Sequence, residues 1–594
     1  MSVRCNARGA SRGLLTVSAS VLALGLAMAP ASAQTSSAQS SSTMETLVQS
    51  LMKKGVLSKT DGQAMLAQLH SEAARAAAAA PAATSAPVSA LAPVTADPNL
   101  VRVPYVSPAV RQQIKDEVRD EVIATAKKDR WATPFAFPTW VGTVTLFGDV
   151  RVRNESHFFD KNNDLEFVNV GAINNGSPYN TGGNNNVLPP ILNATKDRNI
   201  SNFRARFGLT DQIDDDLTMT IRLASGSDNQ PVSTNQTMGN YFNKDGVWLD
   251  QAYIQYAPHL GFADANITAG RMPNPFVHTD LVWDSDVNLD GIAVSVNRTF
   301  LQDQDGQGLN VRVTGGAFPL SYVADDFPTN GEDKVGMGAN KYVFAGQIGA
   351  DWTHERYDLS FNAAFYDYEN VQGSLSPSCS NEAAYCLTDY SRPGYMQKGN
   401  TLFALRNLTF PDPTDITQPQ YFGLASKFQV LDLVGRADVT LHDDLHLSFV
   451  GDFADNLGYG PGAIQALPII NNNETCSVSV PTGQTCASAG GSNLFKDGNQ
   501  AWLARINFGH PTTDKRWDWN TFVYYEYIEP DAVLDAFNDQ DFHLGGTNAK
   551  GWVIGGSLGL FHNTALNLKW FSTNEVTGPK FAEDTLQVDL TTHF

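Results

Sequence analysis

Beyond its first thirty-odd residues, the chain of 594 has no apolar run approaching the ~20 residues a membrane-crossing helix needs. Basic residues are outnumbered, with 41 Lys and Arg against 62 Asp and Glu, and the formal charge of -21 argues against nucleic acid as a partner. No nucleophile–base arrangement and no metal-ligand cluster stands out, so no catalytic residue, metal or cofactor is expected; His354-Glu355 reads as a solvated turn pair. Cysteine is scarce. Of five, Cys5 falls in the leader, and Cys379/Cys386 and Cys476/Cys486 form two local pairs in Ser/Asn/Gly/Pro-rich stretches. With no His beside either pair and no zinc-finger spacing, two loop disulfides in an oxidising compartment are the expectation.

What is present begins with an address. Arg4, Arg8 and Arg12 precede an apolar run from Leu14 to Met28 and then "PASAQ", a three-part pattern that predicts a signal peptide over 1–33. Residues 34–100 read as a helical segment followed by an Ala/Pro-rich spacer. "METLVQSLMKKGVLSKTDGQAMLAQL" carries Leu47, Leu51, Met65, Leu66 and Leu69 at helical spacing, and the spacer has no periodicity. Over 101–140, Val110, Ile114, Val118 and Val122 stand four apart behind a Ser107-Pro108 helix start. So narrow an apolar stripe suits either a short coiled coil or a lone amphipathic helix.

From 141 to 594 the period changes to two. Strands are predicted near 141–154, 199–213, 217–226, 247–256, 265–272, 291–300, 309–319, 341–353, 357–368, 425–442, 445–454, 500–509, 517–528, 549–560, 564–573 and 583–594. Tight turns such as "HERY" and "FHNT" alternate with long polar connections, an asymmetry that belongs to outer-membrane barrels. In the first strand Val144, Leu146, Val150 and Val152 alternate with Asp149, Arg151 and Arg153; Arg204, Arg206 and Arg222 sit on the polar phase of the next two. A soluble sandwich shows the same alternation, so number decides: an open sheet of about sixteen strands with no covering helices is rare, whereas closure leaves no unpaired backbone in lipid. Trp140, Tyr256, Trp352, Tyr525, Tyr527, Phe571 and Phe594 are read as girdle aromatics near strand ends. The fold expected is an all-β transmembrane antiparallel barrel of about sixteen strands with an N-terminal helical extension on the periplasmic side.

The connection after the fifth strand, "GRMPNPFVHTDLVWDSDVNLDG", has prolines to stiffen it, Phe276, Leu281 and Trp283 to anchor it, and Asp280, Asp284, Asp286 and Asp290 to charge it. Set against Arg151, Arg153, Arg204, Arg206 and Arg222, it predicts a constriction with a basic wall facing an acidic loop. The bland alternative pairs these arginines with lumen carboxylates such as Asp149. Parity keeps Arg271 out of the lumen. The acidic alternation also invites a calcium reading: Gly291 at the eighth position instead of the sixth, and Ser295 where a bidentate Glu belongs, exclude an EF-hand and leave a structural Ca²⁺ as the minor alternative.

The stretch "VRVPYVSPAVRQQIKDEVRDEVIATAKKDRWATP", then "GDVRVRNE" and the "GRMPNPF…LVWDSDVNLDG" block, resembles the putative porin family of Gram-negative bacteria from about Val101 onward. The ending "EDTLQVDLTTHF" resembles the C-terminal signature of outer-membrane proteins, whose last aromatic, here Phe594, the barrel-assembly machinery reads. The resemblance implies an outer-membrane channel for small polar solutes and ions, surrounded by outer-membrane lipid, and by analogy with general porins a homotrimer. A passive diffusion porin with a charged eyelet is therefore the expected function. A substrate-selective uptake channel, and a barrel that anchors the outer membrane to the cell wall, are the rivals.

Overall fold

Each alternating segment pairs antiparallel with its sequence neighbour, and the last pairs with the first. The strands are β1 (Val144–Phe159), β2 (Arg198–Asp214), β3 (Leu217–Ala224), β4 (Trp248–Tyr256), β5 (Asp264–Pro273), β6 (Asn288–Phe300), β7 (Gly308–Ser321) and β8 (Lys341–His354). They continue as β9 (Tyr357–Glu369), β10 (Phe428–His442), β11 (Leu445–Asn456), β12 (Gln500–Gly509), β13 (Trp519–Ile528), β14 (Ala549–Phe561), β15 (Thr564–Glu575) and β16 (Glu583–His593). Closure is made by β1, which carries β2 on one edge and β16 on the other. The computed structural model describes residues 142–594 apart from 166, 182–187, 302–307, 329–333, 380–386, 410–418, 443, 477–492 and 496–497. The leader, helical segment, spacer and amphipathic helix read from the sequence lie outside the described residues, as do Cys386 and Cys486.

The sixteen-stranded antiparallel barrel is thus present, and closure removes the edges that an open sheet would leave unpaired. Among the described residues no helix is long and apolar enough to cross a membrane. The turn end is tight. Only 215–216, 355–356 and 562–563 separate three of the hairpins, with Glu355 and Asn563 in the left-handed region that short hairpins require. At the same end Phe594 exchanges backbone hydrogen bonds with Gly148 (3.2 and 3.0 Å), and its ring would lie 2.9 Å from a Cβ placed on that glycine. The loop end carries eight connections, all long except the last: L1 (160–197), L2 (225–247), L3 (274–287), L4 (322–340), L5 (370–427), L6 (457–499), L7 (529–548) and L8 (576–582).

The outer surface carries the apolar phase. Val150, Val152, Ile221, Ile254, Ile292, Val313, Ile348, Ile506, Ile554 and Leu568 are all exposed along it. Aromatics bracket this band. Tyr256, Trp352, Trp519 and Phe561 stand toward the turns, and Phe158, Trp502, Trp552 and Trp570 toward the loops. An apolar cylinder between two aromatic rings is matched to hydrocarbon between two interfaces. Phe571 does not belong with them: it is buried and faces inward. Its parity, one residue past outward Trp570, already placed it there.

Inside, the two sides of the barrel differ. The inward positions of β8–β15 near the loop end are largely apolar: Val343, Ala364, Tyr366, Phe428, Val430, Ala454, Leu503, Ile528, Val553 and Phe571 are all buried. Those of β1–β3 carry Asp149, Arg151, Arg153, Arg204, Arg206 and Arg222. The apolar half is the surface on which loops fold back.

Candidate functional site

L3 enters and leaves the wall through Gly270 and Gly291, which face each other across β5 and β6 at φ +123° and +148°. A side chain on either would meet the backbone of a neighbouring strand, so this bend is open only to glycine. Inside, Phe276 packs edge-on to Phe318 and Tyr366 at 6.0 and 5.6 Å. Trp283 is fully enclosed, 5.5 Å from Tyr366 and stacked at 5.4 Å on Phe537 of L7. Polar ties fix the register. Val277 exchanges two hydrogen bonds with the Gln347 side chain (2.9 and 2.8 Å), and the Thr279 hydroxyl donates to Asp452 at 2.5 Å.

L7 folds in beside it. The Asp284 amide donates to the Phe537 carbonyl (2.6 Å) and the Asp539 amide to the Asp280 carbonyl (2.9 Å), so the two loops form one layer. L5 covers that layer from above. Asn400 donates to the carbonyls of Pro530 and Val533 (2.7 and 2.9 Å), and the Lys398 ammonium to those of His543 and Gly545 (2.5 and 2.9 Å). The Thr401 amide and hydroxyl both donate to Asp531 (2.9 and 2.6 Å).

The acidic residues of L3 divide sharply. Asp284 and Asp286 are each only 6 % exposed. Asp284 accepts from the amides of Asp286 and Gln540 (2.8 and 3.2 Å), which makes it a loop-fixing group. Asp286 accepts from Thr234 of L2 and lies 3.1 Å from Arg206 and 3.7 Å from Arg204. The basic wall and the acidic loop therefore touch at this point, where Arg204 and Arg206 also share Asp149 at 2.9 and 2.6 Å. Arg222 is taken by Asp250 at 2.6 Å. Arg153, 2 % exposed, holds Asp589 through two bonds of 2.8 Å and reaches Asp541 of L7 at 2.8 Å. Arg151 has no carboxylate within bridging distance among the described residues; its one hydrogen bond runs to Asn235 at 2.6 Å. Asp290 lies apart: 55 % exposed, it pairs at 3.0 Å with Arg271 on the phase of outward Ile292 and Val294.

Asp280 alone among the four is solvent-exposed within the loop layer. It acts electrostatically on Arg505 of β12 and on Asp539, Asp284 and Glu526. Arg505 lies over the Phe522 ring at 4.2 Å, and Arg436, on the inward phase of β10, stays 60 % exposed with only a long 3.9 Å contact to Asp438. Neither arginine was among the candidates, although Arg505 alternates with outward Ile506 and so carries a readable sign. The four acidic and amide side chains of the calcium reading, Asp284, Asp286, Asn288 and Asp290, turn to four separate sets of partners. Among the described residues no group of three or more His, Cys, Asp or Glu is gathered to hold a metal.

L7 concentrates buried acid. Burial pushes the Asp531 carboxyl up to about 6. Burial and then Asp531 push Asp535 up to about 7, and burial and then Asp280 push Asp539 to about 7. Burial alone would raise Asp541 too, but Arg153, Lys569 and Arg151 hold it below the usual range. A carboxyl with a raised folded pKa holds its proton more tightly in the folded layer, so its contribution is complete near pH 4 and is lost as pH rises through 6 to 7. Lys398, pushed down to about 7 by burial, works oppositely and restores stability as pH rises above 7. Amide exchange of L7, corrected for intrinsic rate, is therefore expected to be slower at pH 4.5 than at pH 7; equal protection would contradict the buried-acid layer.

The family model described as "Putative porin" matches residues 41–594. No curated protein matches. Among solved structures, a loop-deletion mutant of OmpT, an outer membrane protein of Vibrio cholerae, is 9% identical, with 76% of this chain and 99% of that chain covered at a TM-score of 0.35. A triple mutant of Rhodopseudomonas blastica porin is 10% identical, covering 76% and 100%, at 0.30. The outer membrane channel DcaP of Acinetobacter baumannii is 9% identical, covering 76% and 97%, at 0.33. The family match spans nearly the whole sequence and agrees with the closed barrel, its lipid-matched band and its inward-folded loops, so the chain belongs to the putative porin family, as an outer-membrane porin channel.

Proposed function

We propose that small polar solutes and ions diffuse passively through this barrel, past a constriction at the L3–L7 layer whose open charge is Asp280, set against Arg505 and Arg436. The observation that carries the reading is the division of the L3 acids: Asp284 and Asp286 are buried and engaged, while Asp280 is exposed. A charge that water reaches inside a low-dielectric wall biases ion passage; one already paired contributes little. The original set of five arginines and four aspartates narrows accordingly. Arg151 stays in it as the one of the five arginines without a carboxylate partner among the described residues, and Asp290 leaves it.

Replacing Asp280 with Asn is expected to move the zero-current potential, measured in a planar bilayer under a salt gradient, toward anion preference. The same change at Asp286 is expected to act mainly by loosening L2 and L3. An Asp280→Asn channel with an unmoved reversal potential would remove Asp280 from the constriction. We assign the two local cysteine pairs as loop disulfides and the assembly as a trimer; both are consistent with an exported barrel of this family, and mass measurement of the non-reduced, detergent-solubilised protein tests them together.

A further inference from the structure

Above the L3–L7 layer lies a cavity that diffusion alone does not call for. It measures about 620 Å³ and is enclosed by L1, L5, L6, L7 and L8. Its walls are mixed: Phe167, Ile173, Met396, Phe422, Ile470 and Phe581 give an apolar side, and asparagines, Gln397, Lys398 and His543 a polar one. That size and lining fall in the range of small-molecule sites. Among the described residues one Lys or Arg lines it. The Lys398 ammonium, 5.3 Å from the Phe581 ring centroid, is held by the carbonyls of His543 and Gly545, and no carboxylate of the described residues lies within bridging distance. The one acid of the lining, Glu575, accepts the Phe581 amide at 2.8 Å. Glu583 and Asp535, both buried, act on this ammonium only from beyond bridging distance, and a partly buried cation with no carboxylate in direct contact is costly unless an anion completes it.

We infer that this cavity binds small carboxylates with an aromatic or branched apolar body, the ring against Phe167, Phe422 and Phe581 and the carboxylate on Lys398. The site deepens the porin reading, because it rests on solutes entering through this mouth. A second cavity of about 410 Å³ shares Asn169, Leu192, Gln397, Lys398 and Phe581 with the first and adds Arg198, Gln230 and Gln540. A carboxylate leaving Lys398 thus meets Arg198 next, on the inward phase of β2 above Arg204 and Arg206. Dispersion against the rings holds the body, and the charge-assisted bond selects the acid over its neutral counterpart.

The test is calorimetric titration of the full, detergent-solubilised chain with 2-naphthoate at pH 6, compared with 2-naphthylmethanol. Saturable binding of the acid, at least tenfold tighter than the alcohol, is expected. Lys398→Gln should weaken it at least tenfold, and Ile470→Trp, which fills the cavity from an exposed position, should abolish it. Affinity should also fall as pH rises above 7 and the lysine loses its proton. Equal affinity for acid and alcohol would overturn the site, and so would undiminished binding in either variant. If Lys398→Gln fails to fold, Ile470→Trp decides alone. Conductance of wild type in potassium chloride is scored separately: a conducting channel that binds no 2-naphthoate sinks this inference and leaves the porin reading standing.

Discussion

Arg153→Met should cost the barrel about 3–5 kcal/mol, the usual penalty for removing one partner of a buried ion pair and leaving the other charged. Three carboxylates depend on this guanidinium: Asp589 on β16, Asp541 in L7 and Glu155 beside it on β1. Asp589 lies on the strand that closes against β1, directly opposite Arg153 in the register. One side chain thus fastens the closing seam and the inward loop at once. Loss of the folded, heat-resistant band on unboiled electrophoresis at a lower temperature than wild type is the expected result. Arg153→Lys should recover only part, because an ammonium cannot match the two parallel bonds that Asp589 receives. A variant as heat-resistant as wild type would show that the seam is held by backbone pairing alone.

Trp283→Ala should release L3. The indole is fully buried between Phe537, Tyr366 and Tyr368, and deleting an enclosed Trp costs about 3–5 kcal/mol. At 1.4 kcal/mol per tenfold, that shifts the docked-to-undocked ratio of the loop by a factor of at least about 100. The barrel wall makes its own hydrogen bonds, so the variant should still fold, and its single-channel conductance should rise with more frequent current fluctuations. Unchanged conductance and quiet traces would mean that L3 does not narrow the passage.

Much of this molecule could be read from alternation. Val150 and Val152 against Arg151 and Arg153, or Leu568 and Trp570 against Lys569, fix the lipid and lumen faces because a strand reverses its side chains at every residue. All sixteen barrel strands follow from that period and from turns such as Glu355-Arg356. Boundaries differ at the loop end, where β1 runs to Phe159 and β6 begins at Asn288, because those residues keep pairing above the band in which alternation is enforced by lipid. L3 could be located from its prolines, aromatics and place after β5.

Its internal division could not. Asp280, Asp284, Asp286 and Asp290 look alike in sequence, and what separates them is contact with residues tens to hundreds of positions away, including Gln540 for Asp284 and Arg206 for Asp286. The apolar half of the inner wall was visible in parity at Tyr366, Val430 and Leu503, but its purpose emerges only when L7 arrives to share it. Nothing periodic marks a loop that folds inward, and "EPDAVLDAFNDQD" reads as polar turn chemistry until Ala532, Val533 and Ala536 are found enclosed.

Whether water and ions cross between the L3–L7 layer and the charged wall is most directly settled in a planar bilayer. Purified chain should insert to give discrete ohmic current steps in potassium chloride, larger in Trp283→Ala and displaced in reversal potential in Asp280→Asn. Folded protein that inserts and passes no current, in wild type and in Trp283→Ala alike, would contradict the channel.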